Sequence, residues 1–599
     1  MGRKRRKQHK ERTQISQSPA DSAPPPRERT NYAIGLVLLA GMVAYFNSLE
    51  GVFVFDSIYS IRDNPHIRTL WPLSEAMSLP LINGDASVSR RPLLSLSFAL
   101  NQYLLGPEPW GYHVGNLSIH LAAGLLLFGI LRRTLNTDPF RATYGGRAEG
   151  LAMVVALIWV VHPLQTESVT YLAQRAESLM GTLYLLTLYC AMRGFHSRQP
   201  TGWYVASVVA CGTGMGVKEI MITAPVLVYL YDGVFVSRSY RSAWQERWRF
   251  YLSLAATWLI FGGLIILGLA EASKDFTDRS PLQYALTQPG VILHYLRLSV
   301  WPDTLLINYH WPNAASFAQI VPAGSLLLSL LVATAWGMVR RKWFGYLGAW
   351  FFLVLGPSSS FVALSQNAAE HRMYLSLAAV VVLLVLTADK LLSRLSAGTE
   401  FRRRRFLGSL LVLVVVVLLT GRTVMRNYQY YSGIGLWTDV IENQPNNASA
   451  YFNLGLEYAT QDKFEEAARQ FEQALRINPN YVDSLTNLGS VLQRQGNFEQ
   501  AIVCYDRALK IQPDSHDLNF NLGTLYLTQN KPQQAEHYLL EALRLQPGSH
   551  QAHHNLGQLL ADQGDLEGAL QHFETAYGLA ELEITRENIE QIRAQLGRD

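Results

Sequence analysis

Cysteine is nearly absent from this sequence of 599 residues, which contains 3 of them. They lie far apart, at Cys190, Cys211 and Cys504, so their spacing excludes a disulfide framework and a cysteine-based zinc site. Charge is scarce as well: charged residues make up 16% of the chain, where a soluble protein has about 25%. Hydrophobic residues make up 49%. Length and composition together exclude a single soluble domain.

The sequence also lacks a nucleic-acid-binding signature, because no base-stacking pattern accompanies its basic residues. The net charge of +5 is concentrated in loops between apolar runs, which indicates orientation in a membrane. The apolar runs end near residue 423, and the rest of the chain is polar and predicted to be helical. We therefore expect a lipid bilayer, and no nucleic acid, as a partner of the first part.

Residues 1–30 are rich in Arg and Lys and then in Pro, which predicts a disordered, basic cytoplasmic tail. No small-residue cleavage site follows the first apolar run, so we expect an uncleaved anchor. Eleven apolar segments are predicted to span the membrane, although several are shorter than the roughly 20 residues that a span needs. They lie near 32–48, 112–131, 150–163, 178–192, 203–217, 220–236, 251–270, 322–339, 343–356, 372–389 and 407–421.

Basic residues between these segments predict the orientation. If the tail is cytoplasmic and successive segments cross the membrane in alternating directions, every strong basic cluster lies on the cytoplasmic side. A further segment, 288–301, would place the later clusters outside if it spanned, so we predict that it is interfacial or re-entrant. The polar C-terminal half is then extracytoplasmic. The cytoplasmic clusters contain, among others, Arg132, Arg133, Arg147, Arg193, Arg238, Arg247, Arg340 and Arg402.

Ionisable side chains converge on the opposite, extracytoplasmic face. They lie at the ends of predicted spans, where a charge is costly unless it is paired or used, and we place the active site there. Asp56 is the most unusual, because the apolar residues 53–55 precede it just after a span. Such a carboxylate is a candidate base or metal ligand, and the alternative is a helix cap. The other residues are Arg91, His162, Glu167, Arg175, Glu177, Lys218, Glu219, Glu370, His371 and Arg372.

Several of these residues have a purely structural alternative. Each alternative follows from the position of the residue at the end of a predicted span. The alternatives are a helix cap for Glu167, mutual pairing for Lys218 and Glu219, interfacial anchoring for His371 and Arg372, and the end of a helix for His162.

A 34-residue period begins at residue 448. Glycine, alanine and proline recur at this spacing, which is the tetratricopeptide pattern of two helices with small residues where they touch. Four repeats over 448–583 predict a right-handed solenoid with a concave face. A half-repeat in 424–447 and a polar capping helix in 584–599 are predicted to flank it. The repeated positions include Gly455, Gly489, Gly523 and Gly557, and Ala467, Ala501, Ala535 and Ala569.

Asparagine recurs at the same spacing, on the first helix of each repeat and facing the concave groove. A carboxamide can pair with a peptide group in both directions. A column of carboxamides is therefore predicted to hold an extended polypeptide with little regard for its side chains. The alternative is that Asn before Leu-Gly belongs to the repeat consensus itself. The positions are Asn453, Asn487, Asn521 and Asn555.

The membrane part carries a series of short motifs in a fixed order. In chain order they are Phe53-Val54-Phe55-Asp56, Arg91-Pro92-Leu93, Gly111-Tyr112-His113 with Asn116 and His120, His162-Pro163-Leu164-Gln165-Thr166-Glu167, Arg175-Ala176-Glu177, Lys218-Glu219, Tyr231-Asp232 and Glu370-His371-Arg372 with Tyr374. With the repeats, this series resembles the transmembrane-and-tetratricopeptide-repeat O-mannosyltransferase family, of the GT-C class of polyprenyl-phosphate-sugar glycosyltransferases. The resemblance covers about 32–583.

The resemblance implies an all-α protein, with a GT-C-like membrane domain over 31–423 followed by the solenoid. It also implies transfer of a sugar, often mannose, from a polyprenyl-phosphate donor to Ser/Thr hydroxyls of a polypeptide. Asp56 matches the catalytic position of the family. The family commonly has a second acidic residue directly after it, and in this sequence that next residue is Ser57. Glu167 would then supply the second carboxylate. The implied donor-phosphate ligands are Arg91, Lys218, His371 and Arg372, with His162, Arg175, Glu177, Glu219 and Glu370 in support.

We expect Asp56 to act as a base and the transfer to proceed with inversion, because one base suffices and no nucleophile is evident. Basic groups would stabilise the leaving phosphate, and a membrane-facing groove would admit the polyprenyl chain. The residues define no cofactor. A divalent metal, if one is used, would have Asp56 and Glu167 as ligands, although no metal-ligand spacing is present. Two alternatives are a glycan ligase or polymerase of the same class and a non-enzymatic membrane scaffold with external repeats.

The length and the four full repeats favour a bacterial inner-membrane protein with its repeats in the periplasm. In a eukaryote the same topology would place the repeats in the lumen of the endoplasmic reticulum.

Overall fold

The structure, a computed structural model, confirms the predicted all-α fold. No β-strand occurs in the part of the chain that it describes. The chain divides into two compact units, Met1–Tyr431 and Ser432–Asp599. The described residues are 26–78, 91–266, 280–364, 366–395 and 401–597.

The first helix, α1 (Pro26–Tyr45), begins inside the predicted tail. Pro26 suits the first turn because its φ is already helical, and Glu28 in that turn interacts favourably with the helix dipole. The prediction of disorder is therefore wrong for 26–30, and the rest of the predicted tail, 1–25, lies outside the described residues.

Sixteen further α-helices are described in the first unit. They are α2 (Leu73–Ala76), α3 (Pro92–Leu105), α4 (Pro109–Thr134), α5 (Asp138–Tyr144), α6 (Ala148–Val160), α7 (Thr166–Val169), α8 (Arg175–Phe195), α9 (Thr201–Met215), α10 (Ala224–Tyr231), α11 (Tyr240–Ala256), α12 (Trp258–Ile266), α13 (Pro281–Val300), α14 (Phe317–Val339), α15 (Trp343–Leu355), α16 (Ser376–Leu395) and α17 (Phe401–Asn427). Short 3-10 and π segments join them, at Phe46–Glu50, Ile58–Arg62, Pro65–Ile67, Gly145–Arg147, Pro163–Gln165, Leu172–Gln174, Glu219–Thr223, Asp232–Val236, Gly356–Ser358, Glu370–Met373 and Tyr428–Tyr431.

Among the described residues, 7 helical segments are long and apolar enough to cross a membrane. The count becomes 8 if Phe140–Val160 and Pro163–Val169, which meet at a bend of 55°, form one broken span. The predicted count of eleven is not confirmed, because predicted spans such as α9 and α15 have 15 and 13 residues, short of the roughly 20 that a bilayer needs. The segment 288–301, predicted to be interfacial or re-entrant, lies almost entirely within α13.

The core of the first unit is built where small residues let helices approach closely. Helices α4 and α6 pack together, and α6 also packs against α1 and α16. At Gly124 on α4, an added Cβ atom would collide with Val160 at the end of α6. Gly41 on α1 faces the same valine, 2.8 Å from the position that its Cβ would take. These contacts fix the end of α6, from which the candidate site continues.

The second unit consists of helix pairs at the predicted 34-residue spacing. The paired helices touch through small residues, since the four repeated alanines from Ala467 to Ala569 are fully buried. At Gly489 an added Cβ would lie 2.7 Å from Cε1 of Tyr505 on the partner helix. The helices are α18 (Gly433–Asn443), α19 (Ala448–Ala459), α20 (Phe464–Ile477), α21 (Val482–Arg494), α22 (Phe498–Ile511), α23 (His516–Thr528), α24 (Pro532–Leu545), α25 (His550–Gln563), α26 (Leu566–Leu579) and α27 (Glu583–Gln595).

Single helices flank the four pairs. Helix α18, which lies within the predicted half-repeat, packs against α19 and buries Trp437 and Val440. Helix α27 covers the other end and buries Ile589 and Ile592. Helix α17 passes the predicted end of the membrane domain at 423, and the first compact unit extends to Tyr431.

Candidate active site

The segment after α6 forms one wall of the candidate site. Helix α6 ends at Val160, and Pro163 starts a 3-10 turn because proline suits the first position of a turn. His162 stabilises this turn, since its Nδ1 accepts a hydrogen bond from the backbone N–H of Leu164 at 3.2 Å. Its Nε2 lies 3.2 Å from the carbonyl of Ser299. Both contacts agree with the structural alternative for His162, the end of a helix.

Glu167, in the first turn of α7, is bound by a residue 204 positions away. The backbone N–H of His371 donates to Oε2 of Glu167 at 2.9 Å, and Nδ1 of His371 lies 2.7 Å from Oε1. The side chain of Glu167 is 2% exposed. Two bonds to one carboxylate fix both the position and the tautomer of the imidazole, because Nδ1 must carry the proton that it donates.

The contacts continue from His371 to a buried ion pair. Its Nε2 lies 3.9 Å from Oε1 of Glu177, and the same oxygen accepts from Nζ of Lys218 at 2.6 Å. Glu177 and Lys218 are 1% and 7% exposed, so this pair is held out of water. We call Glu167, His371, Glu177 and Lys218 the carboxylate–histidine cluster. Buried charges of this kind are retained where they are paired or used.

The residue next to the cluster, Glu219, does not pair with Lys218. Its Oε2 lies 3.8 Å from Nη2 of Arg91, which begins the segment leading into α3. About a quarter of the Arg91 side chain is exposed, and 43% of Glu219. Arg91 is therefore the more accessible cation beside a cluster that is otherwise buried.

Burial shifts the proton equilibria of the 3-10 turn at Glu370–Met373. It lowers the pKa of His371 to about 3, and the nearby charge of Lys218 acts in the same direction. The imidazole is therefore neutral near pH 7. Burial also raises the pKa of Glu370, while the charge of Arg426 acts in the opposite direction.

Glu370 points away from its neighbour His371. Its Oε1 accepts from the backbone N–H of Leu306 at 2.5 Å and from the hydroxyl of Tyr309 at 2.7 Å. Nη2 of Arg426 lies 3.9 Å from the same oxygen, with both side chains almost fully buried. Glu370 therefore holds the loop at residues 306–309 against the end of α17.

Two predicted site arginines are occupied by protein groups. Arg372 donates to the hydroxyl of Tyr284 and to the carbonyls of Gln366 and Asn367.

Arg175 donates to the side chains of Asn116 and Asn101 and to the carbonyls of Tyr112 and Ser97. Its guanidinium also lies 4.5 Å from the ring centroid of Phe98. Arg372 therefore fixes the loop at residues 366 and 367, and Arg175 fixes α3 and α4 against each other.

Asp56 reaches the site through a strained turn. The preceding residue, Phe55, has a φ of 49°, in the left-handed region that a bulky residue seldom adopts. The backbone N–H of Asp56 donates to the hydroxyl of Tyr171 at 3.0 Å, and the Phe55 ring stacks on the same tyrosine. Tyr171 follows Glu167 by four residues, so the Asp56 turn is held against the Glu167 segment. The Asp56 side chain is half-buried.

Ser57, where a second acid is common in the resembling family, has a structural role. It is fully buried, and its hydroxyl accepts from the backbone N–H of Val54 at 3.0 Å and also donates to the carbonyl of that residue. A carboxylate at this position would be buried beside a carbonyl oxygen, an unfavourable arrangement.

In the described part of the chain, no group of three or more His, Cys, Asp or Glu side chains is arranged to hold a metal ion. Glu167 uses both of its oxygens on His371, which does not favour it as a metal ligand. The proposal of Asp56 and Glu167 as metal ligands stays a prediction.

Polar atoms without partners surround Glu167. Buried side-chain oxygens on this segment that have no hydrogen-bond partner among the described residues include Oε1 of Gln165, Oγ of Ser168 and Oε1 of Gln174. Buried polar atoms are normally paired with protein or water, so this segment has more polar groups than the fold uses. That excess favours a polar ligand.

Three residues of the site were missed by the sequence interpretation: Arg426, Tyr309 and Tyr171. Arg426 carried a usable signal, because it is an ionisable residue at the end of the last predicted span. The two tyrosines carried none, since nothing in their local sequence distinguishes them from the other tyrosines of the chain.

The asparagine column of the repeats is partly turned toward its own helices. Nδ2 of Asn453 donates to the carbonyl of Ser449 at 2.7 Å, and Nδ2 of Asn487 donates to that of Asp483 at 2.9 Å. Nδ2 of Asn555 donates to the hydroxyl of Thr524 on another repeat. In each of these contacts the amide N–H₂ is the donor, so the carboxamide oxygen keeps its capacity to accept. Asn521, which makes no contact of this kind in the described part, is half-buried.

Fold and site together define a polytopic membrane protein with a buried carboxylate–histidine cluster and a C-terminal tetratricopeptide solenoid. The Tetratricopeptide repeat family matches residues 481–547 and 520–583, and the TPR repeat family matches 455–496. The solved structure of YrrB, a TPR protein, matches 27% of this chain and 84% of its own at 23% identity, with a TM-score of 0.25 that supports no further comparison.

Curated relatives extend the match to the membrane part. Protein O-mannosyl-transferase Tmtc3 of Drosophila melanogaster is 24% identical over 74% of this chain and 54% of its own. Protein O-mannosyl-transferase F38B6.6 of Caenorhabditis elegans is 22% identical over 77% and 65%, and TMTC1 of Mus musculus is 31% identical over 33% and 22%. The chain thus spans about half of the length of the Drosophila relative. These matches support its membership of the transmembrane-and-tetratricopeptide-repeat family.

Proposed function

We propose that this protein is a membrane glycosyltransferase that transfers a sugar to Ser/Thr hydroxyls of a polypeptide. The donor is a polyprenyl-phosphate sugar and the acceptor is held by the repeats. Mannose is the first sugar to test, because the curated relatives are named O-mannosyl-transferases. The carboxylate–histidine cluster, with the Asp56 turn held against it by Tyr171, carries the proposal.

Asp56 is the base of the proposed reaction. It takes the proton from the acceptor hydroxyl as the oxygen forms a bond to the anomeric carbon. The bond from that carbon to the phosphate oxygen breaks, and the phosphate leaves with the negative charge. Asp56 is half-buried and Glu167 is bound twice by His371, so Asp56 has the better access to an acceptor.

The leaving phosphate is stabilised by Arg91, Lys218 and His371. Arg91 is the accessible cation, and Lys218 adds a desolvated positive charge behind it. Glu167 positions His371, and Arg372 acts indirectly by fixing residues 366 and 367. The site faces the extracytoplasmic side in this proposal, because the basic loops require the opposite face to be cytoplasmic.

Transfer of mannose from a polyprenyl-phosphate donor to an acceptor polypeptide in membranes tests this mechanism. Asp56→Asn removes the base and should lower the rate by about 10²–10⁴-fold. Asp63→Asn is the matched control, because Asp63 lies on the same loop and pairs with its exposed neighbour Arg62. Membrane insertion of both variants is checked by protease protection. Full activity of inserted Asp56→Asn would remove Asp56 from the mechanism, and transfer to glycans instead of polypeptide would favour a glycan ligase.

A further inference from the structure

A large groove crosses the first unit between α1, α6, α16 and α17. Its volume is 3020 Å³, several times the roughly 300–1,000 Å³ of an ordinary small-molecule pocket. Leucine and valine side chains dominate its walls, including Leu36, Leu384 and Val416. The residues of α17 that line it extend from Gly408 to Gly421, about 20 Å along the helix and most of the roughly 30 Å thickness of a bilayer core.

Positive charge is concentrated at one end of this groove. That end is lined by four arginines and two carboxylates, so positive charge is in excess by two. The residues are Arg29, Arg132, Arg133 and Arg147, with Glu149 and Asp389. These residues lie at the start of α1, the end of α4 and the start of α6, which meet at the same end of the helix bundle. The opposite end contains His162 and Ser299, on the side of the carboxylate–histidine cluster.

The arginines are held in place by their surroundings. Arg132 Nη1 donates to the hydroxyl of Thr30 at 2.8 Å and lies 3.4 Å from Oε1 of Glu149. Arg147 pairs with Asp389. Arg133 stacks on the ring of Tyr189 at 5.6 Å, and its buried Nε has no hydrogen-bond partner in the described part of the chain. Preorganised guanidinium groups of this kind suit a phosphate oxygen.

From this combination we propose that the groove binds an anionic phospholipid. The headgroup phosphate contacts the arginine end, and the acyl chains fill the apolar walls. Basic pockets between membrane helices on the cytoplasmic side recognise anionic headgroups in this way. The sugar donor does not fit the same assignment, because in the proposed function its phosphate lies near the carboxylate–histidine cluster, on the side of the opposite end of the groove. Only this exclusion of the donor rests on the proposed function.

Native mass spectrometry of the full-length protein, titrated in detergent with dioleoyl phosphatidylglycerol or dioleoyl phosphatidylcholine, measures this binding directly. We expect one retained phosphatidylglycerol and clearly weaker retention of phosphatidylcholine. The double variant Arg132→Gln/Arg133→Gln should lose about fivefold in phosphatidylglycerol affinity per arginine, with little effect on phosphatidylcholine. The control Arg141→Gln, an exposed arginine of the same loop region that does not line the groove, should bind as the unmodified protein does.

A second variant fills the groove without touching its charge. Gly408 lines the groove, and a Cβ added there would meet no atom within 4 Å, so Gly408→Phe adds a bulky side chain at an open position of the wall. It should weaken retention of both lipids. Gly262→Phe, at another open helical glycine outside the groove lining, is its control. Unchanged lipid binding by Gly408→Phe would overturn the proposal even if the arginine variant failed to fold.

Other occupants give different results in the same titration. Equal retention of the two phospholipids would show that the headgroup is not recognised. Displacement of phosphatidylglycerol by inorganic phosphate would indicate a simple anion site. Arginine-dependent displacement by undecaprenyl phosphate would assign the groove to the donor lipid. Each of these results would overturn the proposal.

Discussion

His371 connects most of what the structure adds to the site at the level of single residues. Sequence position indicated a phosphate ligand or an interfacial anchor. The contacts add that it is the centre of a chain of side chains from Glu167 to Glu177 and Lys218. A neutral imidazole held in one tautomer can orient a phosphate by hydrogen bonding without carrying a full charge.

The lowered pKa of His371 predicts a pH-dependent stability. Its pKa is about 3 in the folded protein and about 6.5 in an unfolded chain. Between these values the unfolded chain binds more protons, so the contribution of His371 to folding is complete above about pH 6.5 and decreases as the pH falls. Relative to His371→Gln, the unmodified protein should lose thermal stability between about pH 7.5 and about pH 5, measured by Tm in detergent.

The variant comparison also separates His371 from Glu370. The raised pKa of Glu370 gives the opposite dependence, a stability that decreases as the pH rises, and it is common to both proteins. His537→Gln, at an exposed histidine of the repeats, is the control and should leave the profile unchanged. Parallel Tm profiles for the unmodified protein and His371→Gln would contradict the buried, neutral state of His371.

The limits of sequence reading are clearest at the arginines. Arg91, Arg175 and Arg372 all lie near span ends, and the cost of a charge in a membrane predicts function for each of them. Arg175 is nevertheless used by Asn116, Asn101 and two carbonyls. Sequence position cannot distinguish a cation that binds a ligand from one that binds other parts of the protein, because both satisfy the same rule. The two roles are distinguished by the contacts that each arginine makes with residues distant in the sequence.

At the scale of elements, the repeats were predictable because one spacing fixes every contact. The buried alanines and the close glycines recur at 34 residues, so one helix pair describes all four. The membrane part has no such period. Its short helices, such as α6 and α7, are joined by one-turn segments whose bends depend on contacts with distant helices, and the predicted spans there were not confirmed as a set.

The close contact between the paired helices at Gly489 predicts that a Gly→Ala substitution has opposite effects on stability at two positions of the repeats. Gly489→Ala gains about 1 kcal/mol of helix propensity but places a Cβ 2.7 Å from the buried Tyr505, and overpacking costs about 1–3 kcal/mol. The Tm of the repeat unit should fall. Gly578→Ala, at an exposed helical glycine whose Cβ meets nothing within 4 Å, should raise it. A rise in both variants would contradict tight packing at Gly489.

The asparagine column predicts a separate effect on acceptor binding. Ala at both Asn487 and Asn521 should weaken binding of an extended acceptor peptide by about tenfold, at about 0.5–1.5 kcal/mol for each lost hydrogen bond. Binding of the lipid donor should not change. Fluorescence anisotropy with a labelled acceptor peptide measures the first effect. Asn480→Ala, at an exposed turn position outside the column, is the control. Unchanged peptide affinity in the double variant would reject the clamp.

At the scale of the whole molecule, each of the two units has its own core. Residues 432–599 bury a continuous series of apolar side chains between successive helices. We expect this unit, expressed alone, to be soluble and helical, with a cooperative thermal transition by far-UV circular dichroism. A longer version, 424–599, should have the same Tm. A higher Tm for the longer version would support the predicted junction at 424 over the limit at 432.

A 3-10 turn rotates the chain by about 120° per residue, so three successive side chains leave it in three directions. In the Glu370–Met373 turn, Glu370 is bound to the loop at 306–309, His371 to Glu167, and Arg372 to Tyr284 on α13. These three contacts share one short rigid piece of backbone. Any rotation that follows a shift of the 306–309 loop must therefore also move the imidazole relative to Glu167. A loop that makes no bond to His371 thus controls how that histidine faces Glu167.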